Sequence, residues 1–269
     1  MHLLIDIGGT KTRVAVSYDG LGFSEPAIFQ TNQNYKIGME ELITQANKML
    51  AGAKPQSVSL GVPGVLNSKK TKLTKATNLS QWEQQPLYKD LFKEFSTEKI
   101  FIENDAALVG LGEAYYGAGK GESIVAYITI STGVGGSLIL NGKLAPSAYG
   151  HEPGHHILNA TTSETFEQLV CGKIRQKAEG GEATSIKDST FWEEIEKTAA
   201  TGIYNVMLMW SPNIIVLGGG LTLNVLNIEN IEEHLHNINK YFPNDFKLKR
   251  AVLGDTGGLY GGLVLATKK

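Results

Sequence analysis

The sequence contains a single cysteine, Cys171, among 269 residues. One thiol cannot form an internal disulfide, and it cannot supply a zinc site that is built from several cysteines. No apolar run approaches the roughly 18 residues of a membrane span, and the segment 1–7 is too short for a secretory leader. We therefore expect a cytoplasmic protein that has no membrane partner.

The sequence also has no large excess of positive or negative charge. The sequence has 25 Lys and Arg residues against 27 Asp and Glu residues, a formal net charge of −2. Polyanion-binding faces need clustered basic residues, so nucleic acid is not an expected partner. Glycine, in contrast, is abundant at 31 residues. The glycines cluster beside apolar runs, which is typical of backbone that approaches a ligand closely.

The two halves of the sequence repeat one order of elements: strand, glycine-rich hairpin, strand, and an Asp-Gly or Asn-Gly turn. The repeats are DIGGTKTRVAVSYDG and ITISTGVGGSLILNG, and the first ends in a predicted hairpin turn at Asp19 and Gly20. Helices are predicted at positions that include 37–50 and 163–179. The pattern predicts an α/β fold with two similar lobes and a ligand cleft between them. The predicted limits are 1–112 for the N-terminal lobe, 113–254 for the C-terminal lobe, and 255–269 for a helix packing back on the first.

Both hairpin turns have the composition of an anion-binding turn, in which backbone amides converge and small polar side chains add donors. The candidate phosphate ligands are Gly8, Gly9, Thr10, Lys11 and Thr12 in the first turn, and Thr132 and Gly133 in the second. Neither turn has the GxxxxGK[ST] spacing of a P-loop. Each turn alone is also compatible with a plain tight hairpin, but two turns at matching positions favour phosphate.

Two acidic sites lie at strand ends. Asp6 precedes the first turn, where it either holds magnesium through water or bonds to local amides. Asn104 and Asp105 lie where FIEND ends a strand and a helix begins at about Asn104. The helix dipole favours an ionised Asp105, although the pair also fits a simple N-cap.

Taken in order, these motifs resemble the ROK family of sugar kinases and repressors, which belongs to the hexokinase, Hsp70 and actin-like ATPase group. The segments are DIGGTKTRVAV, GVPGV, ENDAALVGLGEAYYGAG, ITISTGVGGSLILNGKL, HEPGHH and IIVLGGGL, and ATNLSQW is similar to a segment of the glucokinase branch. The resemblance implies two ribonuclease H-like lobes and a homodimer. It also implies transfer of the γ-phosphoryl group of ATP to a hexose hydroxyl, with Mg²⁺ as cofactor.

The resemblance assigns roles to residues. Asp105 matches the catalytic base. The sugar-binding residues would be Asn104, Glu152, His155, Glu167 and Gly64. The adenosine side of ATP would lie on the glycine cluster Gly218, Gly219 and Gly220. Glucose is the first expected substrate, and N-acetylhexosamines, fructose and mannose, or polyphosphate as donor, stay open.

Departures from the family pattern narrow these expectations. Many members of the family hold zinc with the histidine that matches His155 in the HEPGH motif, together with three clustered cysteines. Here Cys171 stands alone beside the extra His151 and His156, so zinc is not expected. Family repressors carry an N-terminal DNA-binding segment, whereas this sequence opens on its first strand. The rival functions are a non-catalytic sugar-sensing module and an ATPase whose hydrolysis does not depend on sugar.

Overall fold

The computed structural model describes residues 1–243 and 245–268, which form two compact units. Unit 1 consists of Met1–Tyr115, Pro146–Gly150 and the stretch from Asp255 onward. Unit 2 consists of Tyr116–Ala145 and His151–Gly254. The predicted limits have no counterpart of Pro146–Gly150, because a short loop carries no periodicity that would assign it to either unit.

Unit 1 is built on a five-stranded sheet with the strand order β3-β2-β1-β4-β7. Strands β3, β2 and β1 are antiparallel neighbours, whereas β1, β4 and β7 run parallel. A separate two-stranded sheet is formed by β5 and β6. The elements are β1 His2–Ile7, β2 Lys11–Ser17, β3 Ala27–Gln30, α1 Tyr35–Leu50, β4 Ser57–Val62, β5 Val65–Leu66, β6 Leu73–Lys75, α2 Leu87–Phe95, β7 Ile100–Asn104, α3 Asp105–Tyr116 and α8 Gly257–Thr267.

Unit 2 repeats this plan in a sheet with the order β10-β9-β8-β13-β14, of which β8, β13 and β14 are parallel. A small sheet pairs β11 with β12. The elements are β8 Ile124–Ile130, β9 Val134–Leu140, β10 Lys143–Leu144, β11 Ile157–Asn159, β12 Glu164–Thr165, α4 Lys173–Lys177, α5 Ser189–Trp210, β13 Ile214–Gly218, α6 Gly220–Asn224, α7 Ile228–Ile238 and β14 Lys247–Arg250.

The helices of unit 1 form for local reasons and then bury one face. Helix α1 begins after Asn34, whose side chain accepts a hydrogen bond from the amide of Ile37, and ends at Ala51 in the left-handed conformation. Its buried face, which includes Met39, Leu42 and Ala46, packs with the apolar strands β1 and β4 in one core.

Helix α8 packs on the sheet of unit 1 against β1, β4 and β2. Glycines allow it to cross α3 backbone to backbone, since a Cβ on Gly112 would lie 2.5 Å from the carbonyl oxygen of Gly257. At Gly261 a Cβ would overlap the backbone of Leu108. This close crossing fixes the first turns of α3 and α8 relative to the ends of β1 and β4.

One local prediction is wrong, and a second differs in its bounds. Asp19 and Gly20 do not form a tight hairpin, because Asp19 Oδ1 accepts the amide of Leu21 and opens a longer loop over 18–26. The helix predicted over 163–179 is present but begins later, because β12 occupies Glu164–Thr165. From residue 166 the backbone stays helical through a π-helical turn over Gln168–Gly172 and continues into α4. Across residues 1–243 and 245–268, no helix combines the length and hydropathy needed to cross a bilayer.

Candidate active site

Two carboxyl groups of unit 1 converge where its parallel strands end. Asp6 of β1 pairs across the ladder with Gly61 of β4, and β7 continues directly into α3 at Asp105. A Cβ on Gly61 would lie 3.2 Å from Asp6 Oδ1 and 3.6 Å from the Cα atom of Asp105. The absence of a side chain at Gly61 therefore leaves room for both acids. The carboxyl ends of parallel strands are the usual site for ligands in α/β sheets.

The cap of α3 is Asn104 rather than Asp105. Asn104 Oδ1 accepts a hydrogen bond of 3.1 Å from the amide of Ala107, and its Nδ2 donates to the carbonyl oxygen of Gly64 at 3.1 Å. Gly64 has φ 120°, which only glycine adopts readily, and a Cβ there would overlap the carbonyl oxygen of Lys75. The structure thus joins two of the predicted sugar-binding residues, Asn104 and Gly64.

Asp105 is half-buried, and its Oδ1 accepts a 2.8 Å hydrogen bond from the amide of Ala106. Burial raises the pKa of Asp105 to about 6, and the bond from Ala106 opposes this rise. Burial therefore outweighs the helix N-terminus, which we expected to hold the pKa low. A carboxyl group with such a pKa is still mostly ionised at pH 7, as a general base must be.

Asp6 is 7% exposed. Burial raises its pKa to about 7, the charge of Asp105 adds to this rise, and Arg13 opposes it. Arg13 lies directly opposite Asp6 across the β1–β2 hairpin, and its Nη2 donates a 2.7 Å hydrogen bond to Asp255 Oδ2. The sequence reading missed Arg13 and Asp255, although the hairpin register would have identified Arg13 as the neighbour of Asp6.

The first predicted phosphate turn connects β1 and β2. The amide of Gly8 donates to the carbonyl oxygen of Lys11 at 2.9 Å, and the side chains of Thr10 and Lys11 are exposed. Gly9 lies against Asn78, whose Cβ would be 3.1 Å from a Cβ on the glycine. Asn78 is thus a further residue that the sequence reading missed, although it belongs to the ATNLSQW segment.

The structure corrects the prediction for the hydroxyl of Thr12. This side chain is buried and hydrogen-bonded to Thr31 Oγ1 at 2.9 Å. Thr31 Oγ1 in turn donates to the carbonyl oxygen of Gly8 at 2.8 Å. Because strand alternation directs Thr12 inward, its hydroxyl supports the turn instead of facing a ligand.

In unit 2 the predicted sugar acid Glu167 contacts the second predicted phosphate turn. Its Oε2 accepts a 2.8 Å hydrogen bond from the amide of Val134, and a Cβ on Gly133 would lie 2.5 Å from the same oxygen. Arg175 Nη2 donates to the carbonyl oxygen of Thr132 at 2.7 Å. A carboxylate and a guanidinium group therefore flank this turn, and the sequence reading missed Arg175.

Glu152 and His155 lie at the start and end of a 3₁₀ turn that packs on β9, where a Cβ on Gly154 would overlap the carbonyl oxygen of Val134. His155 Nε2 is 4.0 Å from Glu152 Oε2, and their side chains are 59% and 35% exposed. Both remain accessible to a polar ligand. A carboxylate acceptor beside an imidazole suits the hydroxyl groups of a polyol.

Close packing explains two of the three glycines in the cluster that was predicted to face adenosine. A Cβ on Gly218 would overlap the hydroxyl of Tyr127, and Gly219 has φ 90° with no room for a Cβ beside the carbonyl oxygen of Ile130. At Gly220 the nearest atom to a Cβ would be Ser131 Oγ, 3.9 Å away. Gly220 is thus the position of the cluster with open space.

Asp6 is the candidate magnesium ligand among the described residues. Within residues 1–243 and 245–268, no group of three or more His, Cys, Asp or Glu side chains is arranged around a metal position. Burial, followed by the charge of Glu167, raises the pKa of Cys171 to about 12, which keeps the thiol protonated. Mg²⁺ needs only one or two carboxylates together with water and phosphate oxygens, and Asp6 beside the first turn fits this demand.

The model of the ROK family matches residues 2–269. The chain belongs to the ROK family. It is 28% identical over 316 residues to an N-acetyl-D-glucosamine kinase of Haemophilus influenzae, with 100% of both chains covered. It is 24% identical over 261 residues to a glucokinase of Thermotoga maritima, with 81% of each chain covered.

Solved ROK structures share the fold. A ROK hexokinase from Thermus thermophilus matches with a TM-score of 0.84 at 24% identity, over 98% of this chain and 96% of that one. A ROK glucokinase from Streptomyces griseus, in complex with glucose and AMPPNP, matches with a TM-score of 0.81 at 21% identity, over 100% and 99%. The ROK resemblance and the predicted fold class, two similar α/β lobes of the actin-like ATPase type, are confirmed.

Proposed function

We propose that this ROK protein is a sugar kinase that transfers the γ-phosphoryl group of ATP to a hydroxyl of a hexose, with Asp105 as the base. The observation that supports this most directly is the Asp105 carboxyl, held by Ala106 at the start of α3 and next to Asp6 over Gly61. Its pKa of about 6 suits a group that must be ionised at neutral pH yet accept a proton.

In the proposed reaction, the hydroxyl oxygen of the sugar forms a bond to the γ-phosphorus while the bond to the bridging oxygen of ADP breaks. Asp105 orients the hydroxyl early and takes up its proton late in the step. Phosphoryl transfer depends mainly on alignment and charge stabilisation. The amides of the two glycine-rich turns and the exposed side chains of Thr10 and Lys11 would therefore act on the donor phosphates.

The sugar would be bound by the residues that the family resemblance assigns to it. Asn104 has its amide oriented by Ala107 and Gly64, so it presents remaining hydrogen-bonding capacity in a fixed direction. Glu152, His155 and Glu167 would bind further hydroxyl groups. Magnesium, held by Asp6 through water and by the donor phosphates, would supply positive charge to the transferring group.

Glucose is the proposed substrate. N-acetylglucosamine is the second candidate, because the relatives at 26–28% identity include several named N-acetyl-D-glucosamine kinases. Fructose and mannose stay open, and so does the donor, since a structural relative is an inorganic polyphosphate/ATP-glucomannokinase. A homodimer and a cytoplasmic location are further parts of the proposal, and sedimentation equilibrium would test the first.

The deciding experiment is a coupled ADP-release assay with the purified protein and a panel of glucose, N-acetylglucosamine, N-acetylmannosamine, mannose and fructose. We expect ADP release that depends on sugar and is fastest with glucose. A parallel assay with polyphosphate would follow sugar phosphate directly. The Asp105→Asn variant, prepared identically, controls for contaminating kinases.

Each alternative has its own result in this assay. ADP release at the same rate with and without every sugar would identify a sugar-independent ATPase. Sugar binding without phosphoryl transfer from either donor would identify a sensing module. Either result would overturn the proposed function.

A further inference from the structure

Arg13 is a cation that lies beside the carboxyl pair of unit 1 and has no role in the reaction as described so far. It stands on β2 directly opposite Asp6 on β1, and cross-strand partners at this spacing project from the same face of the sheet. Its side chain is only 11% exposed, and its Nη1 lies 3.9 Å from Asp6 Oδ2. An arginine in such a position must be compensated by charge or hydrogen bonds.

The surroundings of Asp6 explain what a cation does there. The charged groups that face this carboxyl are Asp105, Asp255 and Arg13, of which only Arg13 is positive. Helix α8 also approaches closely, since a Cβ on Gly258 would lie 2.6 Å from Asp6 Cγ. Without Arg13, the carboxyl of Asp6 would face the repulsion of two acids with no opposite charge among these groups.

The guanidinium group of Arg13 is held from its other end. Nη2 donates to Asp255 Oδ2 at 2.7 Å, and Asp255 is 81% exposed in the short turn that precedes α8. Arg13 Nε is buried and has no hydrogen-bond partner among the described residues. The guanidinium group therefore depends on Asp255 for its position, and it attracts Asp6 without a direct hydrogen bond.

The 3.9 Å separation matters for a site that must take a hydrated cation. A hydrogen bond from Arg13 would occupy a lone pair of Asp6, whereas an ion pair at this distance exceeds hydrogen-bond length. The oxygens of Asp6 thus keep acceptor capacity for water molecules. Mg²⁺ bound through one carboxylate retains several such waters.

We propose that Arg13, held in place by Asp255, is a positioning residue that fixes the Asp6 carboxylate for the hydrated Mg²⁺ accompanying the donor nucleotide. The inference rests on the proposed function, because it assigns the orientation of the acid that would receive the metal. Arg13 contacts neither sugar nor phosphate in this role. It acts through Asp6.

Three variants and one control test the proposal. Arg13→Met removes the charge at similar side-chain length, and Arg13→Lys keeps the charge but replaces the planar guanidinium group. Asp255→Asn weakens the hydrogen bond that holds Arg13, at an exposed position where folding is least at risk. The control is Lys247→Met, which breaks an ion pair of 2.6 Å with Glu122 on an exposed edge of unit 2. All four proteins are compared with the parent by circular dichroism before any assay.

The first measurement does not depend on turnover. A fluorescent ATP analogue is titrated onto each protein in EDTA and in excess Mg²⁺. The dissociation constant in EDTA divided by the dissociation constant in Mg²⁺ gives the effect of the metal. We expect Arg13→Met to reduce this ratio by about tenfold, Asp255→Asn by about threefold, and Arg13→Lys to retain part of it, because misplacing one carboxylate weakens an aligned site. The control should keep the ratio of the parent.

The second measurement is steady-state kinetics with a hexose and Mg·ATP. We expect kcat to fall by about tenfold or more in Arg13→Met while the KM for sugar stays within about twofold. A merely structural role would lower thermal stability and leave the metal effect and kcat unchanged in the folded variants. That result would overturn the proposal, as would a metal effect that increases in Arg13→Met.

The two proposals can fail separately. If the parent phosphorylates no sugar but Arg13→Met still loses the Mg²⁺ effect on nucleotide binding, the proposed function is wrong and the role of Arg13 stands. If the parent is a sugar kinase and all Arg13 variants retain the Mg²⁺ effect, the proposed function stands and the role of Arg13 is wrong.

Discussion

The hairpins of the two units share one topology but place different chemistry at equivalent positions. In each unit the two strands of the hairpin, β1 and β2 or β8 and β9, are joined by a glycine-rich turn. Two ladder positions before the turn, unit 1 pairs Asp6 with Arg13, whereas unit 2 pairs Thr129 with Gly135. A common backbone plan thus carries a buried ion pair in one unit and a small uncharged pair in the other.

The next strand of each sheet extends the comparison. Asp6 has Gly61 as its parallel neighbour, and Thr129 has Gly218 in the same place. Gly61 makes room for the two carboxyl groups of unit 1, whereas Gly218 makes room for the ring of Tyr127. Equivalent glycines therefore serve a charged site in one unit and aromatic packing in the other, so a glycine motif alone does not indicate a ligand.

The acids of the two units also have different surroundings. Asp6 and Asp105 have pKa values raised to about 7 and about 6, with burial as the largest cause. In unit 2, Glu152 is accessible beside His155, and Glu167 accepts the amide of Val134. Burial thus raises the pKa values of the acids in unit 1, whereas the acids of unit 2 lie beside an imidazole or accept a backbone amide, and substitutions in each unit test this difference.

The largest expected effect belongs to unit 1. Asp105→Asn keeps the shape of the side chain but removes the base, so we expect kcat to fall by about 10³-fold while sugar affinity changes little. Steady-state kinetics and a direct sugar-binding titration measure the two quantities. Asp188→Asn is the matched control, because Asp188 caps α5 by accepting the amide of Phe191 at 3.1 Å and asparagine caps as well. Turnover of Asp105→Asn within tenfold of the parent would exclude Asp105 as the base.

The matching substitution in unit 2 is Glu152→Gln. Because it replaces a charged acceptor by a neutral one, we expect the KM for sugar to rise by about ten- to a hundredfold, with a smaller change in kcat. Glu193→Gln on the exposed face of α5, where Glu193 pairs with Lys197 at 2.5 Å, is the control. If the KM for sugar is the same in Glu152→Gln and the parent, Glu152 does not bind the sugar.

Local patterns in the sequence predict the parts of this site that lie close together in the chain. The change from strand to helix at Asn104 and Asp105 and both glycine-rich turns follow from alternation, helical spacing and glycine placement. The same reasoning could have predicted the burial of the Thr12 hydroxyl, because alternation along β2 directs that side chain inward.

The long-range contacts could not be predicted in this way. Arg13 meets Asp255 across 242 positions of sequence, and Glu167 meets the amide of Val134 across 33. Neither contact has a periodicity or spacing that a single sequence shows. The raised pKa of Asp105 has the same origin, because the packing that buries it comes from elements distant in sequence, whereas the helix N-terminus is a local feature.

The remaining expected effect is on stability rather than on activity, and it has opposite signs in the two units. The pKa of Asp105 is raised in the folded protein, so the folded state binds the proton more tightly than the unfolded chain does. Ionisation of Asp105 therefore lowers the free energy of unfolding as pH rises from about 4 to about 6, with no further change above. Asp105→Asn removes this cost. We expect it to be more stable than the parent by up to about 3 kcal/mol at pH 8 and by about 1 kcal/mol at pH 4.5.

Asp188 in unit 2 provides the opposite case. The amide of Phe191 and then Lys177 hold the pKa of Asp188 below its usual value, so its ionised form favours the folded state above the unfolded pKa. Asp188→Asn should therefore lose a little stability at pH 8 and less at acid pH. Urea unfolding of both variants and the parent at pH 4.5 and pH 8 gives the four differences. A loss of stability in Asp105→Asn at pH 8 would contradict a carboxylate that is ionised at a cost, because only the removal of a favourable charge would produce that sign.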